Sequence, residues 1–207
     1  MKEQSIAASL ARGVVRRFDG FLRRRLGVFH YSEDPGCRLR LSLPRTPYAV
    51  HLADGTDVAA GDTVANVHLW NERMPPIPAE GADLRWAREW QRGMTYSLRL
   101  LAAYLDADPR YAAIPAVYGQ IGFATTRDAD TGSHLLRALG FEMFRPRAKG
   151  GLWWRFSEFW QNVYSYALLW TYNPNSLRDK PFSAIERLDL FMSRNKLRER
   201  YGEKCDA

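Results

Sequence analysis

The chain has 207 residues, 46% hydrophobic and 26% charged, which are the proportions of a folded protein rather than a disordered or fibrous one. Its 30 Lys and Arg against 23 Asp and Glu leave a net charge of +7, so its long-range field favours anionic partners. Only Cys37 and Cys205 are present, neither in a metal-ligand spacing, which excludes a disulfide scaffold and a zinc finger and points to a reducing, cytoplasmic setting.

The first predicted element is an amphipathic helix over residues 3–26. Ile6, Leu10, Val14, Phe18 and Leu22 recur every four positions, flanked by Arg12, Arg16, Arg17, Arg23, Arg24 and Arg25, and Gly27 ends it. This Arg-studded start has neither the apolar core nor the cleavage site of a secretory signal. Residues 1–30 are therefore set apart as a basic helix, and 31–207 are expected to form a single domain. Alternation predicts strands over 38–43, 48–52 and 63–70, joined by short turns as an antiparallel meander. The prolines at 75, 76 and 78 separate these strands from a long helix over 83–105, whose buried stripe is expected to be Leu84, Ala87, Trp90, Met94, Leu98, Leu101 and Leu105. A central strand follows over 116–125. Thr131 or Ser133 then caps a short helix closed by Gly140, and a strand occupies 141–144. An aromatic helix spans 152–172, a strand 188–192, and Ser193 caps a last helix over 195–201.

This order of elements gives an α+β fold with a mixed, largely antiparallel sheet and helices on its faces. The strand and helix order is similar to that of the N-acetyltransferase superfamily. The pyrophosphate loop of that superfamily is replaced here by Asn71-Glu72-Arg73-Met74-Pro75-Pro76, so no coenzyme A or other cofactor is expected. A closer likeness lies in the block Gly61-Asp62-Thr63-Val64-Ala65-Asn66-Val67-His68-Leu69-Trp70-Asn71-Glu72-Arg73. Gly119-Gln120-Ile121-Gly122-Phe123, Leu139-Gly140-Phe141-Glu142 and Leu190-Phe191-Met192-Ser193, with Leu197 and Tyr201-Gly202, follow it in order. Together these blocks resemble the YkoP-like domain, a family found alone and fused to polysaccharide deacetylases. The resemblance implies no defined reaction, and the fusion hints at envelope glycans or lipids. The metal pattern of the deacetylases, Asp-Asp with His-x-x-x-His, is missing here.

Chemistry is sought where the 63–70 strand opens into a loop, a common place for a site. His68 is a candidate general base, with Glu72 to orient or charge it and Asn71 to supply an amide; the alternative is a half-buried histidine beside an ordinary turn. Thr125 and Arg127, ahead of the next helix, are candidates to hold an anion, and Tyr118 and Gln120 alternate onto the same groove. His51, His68 and His134 lie on different elements, and no metal site is expected.

The 152–172 helix carries nine aromatic residues broken only by the charges of Arg155 and Glu158, and Arg145, Arg147 and Lys149 precede it. That composition suits either a membrane–water boundary or a helix packed as core. No run of about 18 uncharged apolar residues predicts a membrane span. Two function classes stay open: a peripheral membrane enzyme modifying or transferring a group on an envelope lipid or glycan precursor, and a non-catalytic domain binding anionic lipid, glycan or a partner enzyme. Nucleic acid is disfavoured, because no helix-turn-helix, zinc-finger or RNA-binding strand motif accompanies the charge.

Overall fold

The computed structural model describes residues 2–123, 126–146, 152–177 and 186–202. Local signals set the helix ends. Helix α1 (Lys2–Arg25) and helix α3 (Thr126–Ala138) stop at Gly27 and Gly140, whose φ values of 63° and 96° are the left-handed conformations that glycine adopts without strain. Helix α2 (Leu84–Ala107) starts where the Asp83 carboxylate accepts the Trp86 N–H at 2.7 Å. At its other end the Arg194 guanidinium donates to the Leu105 carbonyl at 2.6 Å and to Asp106 at 2.7 Å, satisfying groups that the helix leaves orphaned. Helix α4 runs Leu152–Tyr172, and helix α5 (Arg194–Tyr201) is capped by Ser193, which accepts the Lys196 N–H.

The strands are β1 (Leu39–Ser42), β2 (Val50–His51), β3 (Asp57–Val58), β4 (Ala65–Leu69), β5 (Ala116–Phe123), β6 (Glu142–Phe144) and β7 (Glu186–Ser193). Five of them form one sheet in the order β1-β4-β5-β7-β6. The fold is α+β, and every pairing in the sheet is antiparallel except β4 with β5, which run parallel because α2 crosses over between them.

The expected three-strand meander is not what forms. β1 pairs directly with β4, Leu39 against Leu69 through Ser42 against Asn66, while the 48–52 segment folds with β3 into a separate two-stranded hairpin. The Asp54-Gly55 turn makes that local pairing available, and the hairpin lays Val50, Leu52 and Val58 on Val64, Ala116 and Phe191 as a second small core.

Because side chains alternate, the sheet has two distinct faces. On one, Leu39, Leu41, Ala65, Val67, Val117, Ile121, Leu190 and Met192 pack with Trp90, Met94, Leu98, Leu101 and Leu105 of α2, and with Leu197 and Tyr201 of α5. The α2 stripe is displaced from the expected one: Leu84 is 77% exposed and Ala87 half-buried, since the first turns of α2 run past the sheet and the burial begins at Trp90. Helix α3 also starts earlier than expected, so Thr131 and Ser133 lie inside it rather than at its cap.

Candidate functional site

Beyond the small core under the hairpin, the second face of the sheet is polar. Arg40 and Ser42 of β1 pair with His68 and Asn66 of β4, Asn66 pairs with Tyr118 of β5, and Gln120 pairs with Asp189 of β7. These residues all project to one side of the sheet. The parallel pairing of β4 and β5 covers two residue pairs and ends at Asn66 and Tyr118, although both strands continue. His68 and Gln120 therefore flank the place where the two strands part, towards their carboxyl ends. In open sheets, ligands bind beyond the carboxyl ends of parallel strands.

Around His68 the contacts differ from those expected. Its Nε2 lies 2.8 Å from the Ser42 Oγ, and burial together with the neighbouring Arg40 cation lowers its pKa to about 4. The ring is thus neutral at physiological pH and weakly basic. Glu72 does not orient it. That carboxylate takes the buried Arg40 guanidinium at 3.2 Å and lies 3.8 Å from Arg23. Burial pushes Glu72 up, but its hydrogen bonds and the two arginines outweigh this and hold it below its ordinary value. Arg40 also donates to His30.

The Trp70 indole is packed between cations, with the Arg73 guanidinium 3.4 Å and that of Arg40 4.4 Å from its ring centroid, and with His30 stacked at 4.1 Å. Arg73 further donates to the carbonyls of Asp34 and Cys37. Trp70 and Arg73 thus brace the loop after β4. Asn71 sits in the first position of a short 3₁₀ turn, where its carbonyl accepts the Met74 N–H.

Tyr118 and Gln120 meet at a residue that sequence reasoning missed. Asp189, 2% exposed, accepts from the Tyr118 hydroxyl at 2.9 Å, from the Gln120 amide at 3.0 Å and from the Tyr48 hydroxyl. Burial, followed by this carboxylate, raises the Tyr118 pKa, so the phenol stays protonated and donates. A signal existed in Leu188-Asp189-Leu190, a lone carboxylate in an apolar strand, but its partners lie 69 to 141 positions away. Thr125 falls outside the described residues. Arg127 belongs to the first turn of α3, and its side chain, like the anion site expected there, lies outside the described residues.

Residues 24–201 match the YkoP domain. The chain belongs to that family. No curated protein and no solved structure matches it. The match takes in the polar face, α2, α4 and every strand, whereas all but the last two residues of α1 precede it.

Across the polar face of this YkoP domain lie α4 and, packed on α4, α1. Both present polar groups inward. Gln161, Asn162 and Ser165 of α4 accept hydrogen bonds from Arg187 of β7, which also donates to Gln120. Among residues 10–25 of α1, Asp19 alone is buried, accepting from the Tyr164 hydroxyl at 2.5 Å and pairing with Arg23 at 3.1 Å. The apolar side faces out: Leu10 is 68% exposed, Phe18 52% and Trp160 53%, and Val14, Phe21, Phe156 and Phe159 join them. These groups are continuous. Phe18 meets Tyr164 edge-on, Tyr164 stands one turn from Trp160, and Trp160 touches Phe156 and Phe159. Arg16, Arg17, Arg24 and Arg25 are exposed around the patch. Among the described residues, no helix is long and apolar enough to cross a membrane.

Proposed function

We propose that this YkoP-domain protein is a peripheral membrane protein, settling on an anionic bilayer through the outer side of α1 and α4 and receiving the polar part of a lipid or glycan precursor at the polar sheet face. One observation carries this reading: α1 is inside out, with Asp19 buried and Leu10, Val14 and Phe18 in water. A continuous aromatic and aliphatic patch of this kind marks an interaction surface, and large apolar residues leave water favourably only where an apolar medium meets them. The exposed arginines beside the patch make an anionic bilayer the matching partner, at about 1 kcal/mol per basic residue near the surface.

Sedimentation of the full chain with vesicles tests the reading. The protein is expected to pellet with phosphatidylglycerol-containing vesicles and to stay in solution with pure phosphatidylcholine, with binding weakened by salt. Leu10→Glu with Phe18→Glu should abolish pelleting, and so should Arg17→Glu with Arg24→Glu and Arg25→Glu. Arg23 is left intact because it pairs with Asp19 and Glu72. Binding that ignores both sets of substitutions sinks the proposal, as does a dimer of the free protein that the Leu10 and Phe18 changes dissolve.

A second reading, that the site also transfers a group, is supported by the Ser42–His68 contact, which sets a hydroxyl 2.8 Å from an imidazole nitrogen. Turnover of vesicle-borne substrate should then vanish in Ser42→Ala while pelleting is kept. Unchanged turnover leaves Ser42 out of the chemistry.

A further inference from the structure

The side of α2 turned away from the sheet carries a shallow, open groove lined by Arg88, Gln91, Arg92, Thr95, Tyr96 and Arg99. These positions recur at three and four residues, so one helix face presents them all. None of the three arginines makes an ion pair among the described residues. Two acids beside this face have partners of their own: Glu89 pairs with Arg38 at 3.5 Å, and Asp34 accepts from the Tyr96 hydroxyl and the Gly36 N–H. Arg88 and Arg92 stand one turn apart, and like charges at that spacing destabilise a helix. An external anion offsets that repulsion.

The spacing selects the kind of anion. At 1.5 Å per residue, Arg92 lies about 6 Å along the axis from Arg88, and Arg99 about 10 Å further. A single phosphate reaches two of these guanidinia at most. A row of charges matches an extended chain of anionic groups, and the planar guanidinium fork suits phosphate oxygens. Gln91 and Thr95 place neutral donors between the cations. Only one ring, Tyr96, lines the groove and its hydroxyl is held by Asp34, so there is little platform for stacking bases.

We propose that this groove binds a linear phosphate polymer. It lies on the opposite face of the sheet from α1 and α4, and it does not depend on the membrane reading. The test uses the full chain without vesicles and long-chain inorganic polyphosphate as the probe, titrated at several salt concentrations. Replacing Arg88, Arg92 and Arg99 together by Gln is expected to weaken binding at least about tenfold and to reduce the slope of log affinity against log salt by about 2, the value for three lost phosphate contacts on a single chain. Charge reversal of Arg17, Arg24 and Arg25, a larger change in net charge, should leave affinity within about twofold. Melting curves confirm that each variant is folded; if the triple variant is not, the three single Gln variants replace it, each expected to lower the slope by about 0.7. The proposal is overturned if the α2 variants bind like wild type or if the α1 reversal weakens binding as much. Pyrophosphate competing as well as the polymer, or a single-stranded oligonucleotide of equal charge binding more tightly, overturns it too.

Discussion

On the side of α2 and α5, Leu39, Leu41 and Val117 of the sheet meet Met94, Leu98 and Leu101, while Arg88, Arg92 and Arg99 point to water. On the side of α1 and α4, Arg40, His68, Gln120 and Asp189 face the same way as Arg187, which meets Asn162 and Ser165 of α4, while Phe18, Phe156 and Trp160 point outward. The first side takes its stability from apolar area removed from water. The second rests on paired polar groups, each of which is costly to leave without a partner. Its outer apolar surface adds little in water, and adds stability when covered by an apolar medium. One sheet thus separates a layer that holds the molecule together from a layer arranged for contact.

The largest effect that tests this contrast belongs to the first side. Leu98 is fully buried at the centre of the α2 packing, and Leu98→Ala is expected to cost about 3 kcal/mol in urea unfolding, from lost transfer energy plus the cavity left behind. A loss below about 1 kcal/mol would mean that this layer is not where the stability resides.

The second side should reveal itself through pH. The folded pKa of His68, about 4, lies below its ordinary 6.5 because of burial and Arg40. Above pH 6.5 the ring is neutral in the folded and unfolded chains alike. As pH falls from 6.5 towards 4, the unfolded chain takes up a proton that the folded chain refuses, and stability drops by up to about 3 kcal/mol. In His68→Gln this component is absent. Between pH 7 and pH 4 wild type should therefore lose about 3 kcal/mol more than the variant, and parallel pH profiles would show that His68 is not held neutral.

Much of the architecture is legible in the residues, because helix ends and strand alternation are local. Asp83, Gly27, Gly140 and Ser193 mark boundaries that the structure keeps, and the aromatic helix occupies 152–172 as read. Strand partners are not local. Nothing within 48–52 tells that it will fold onto β3 and leave β1 free for β4, and nothing near Asp189 points to Tyr48, Tyr118 and Gln120. Orientation is the third loss. The four-residue recurrence of Leu10, Val14 and Phe18 identifies an apolar side but not which way it faces, and the direction was decided by Asp19, a residue that periodicity treats as ordinary surface. His68 and Glu72 stand close in sequence, yet Arg40, 32 positions from Glu72, takes the carboxylate, and burial together with Arg40 lowers the histidine's pKa.

The smallest expected effect is the sharpest test of the inside-out helix. Val14 is 67% exposed on the outer side of α1, and serine has nearly the same helix propensity as valine. Val14→Ser should therefore change unfolding free energy by less than about 0.5 kcal/mol, as surface substitutions do. On a bilayer the same change removes a buried apolar side chain, and vesicle partitioning should fall roughly tenfold, since burying a valine contributes about 1.5 kcal/mol. If Val14→Ser instead costs 1 kcal/mol or more in solution, the valine is covered in the free protein. The apolar side of α1 then belongs to the fold, and the two sides of the sheet are built alike.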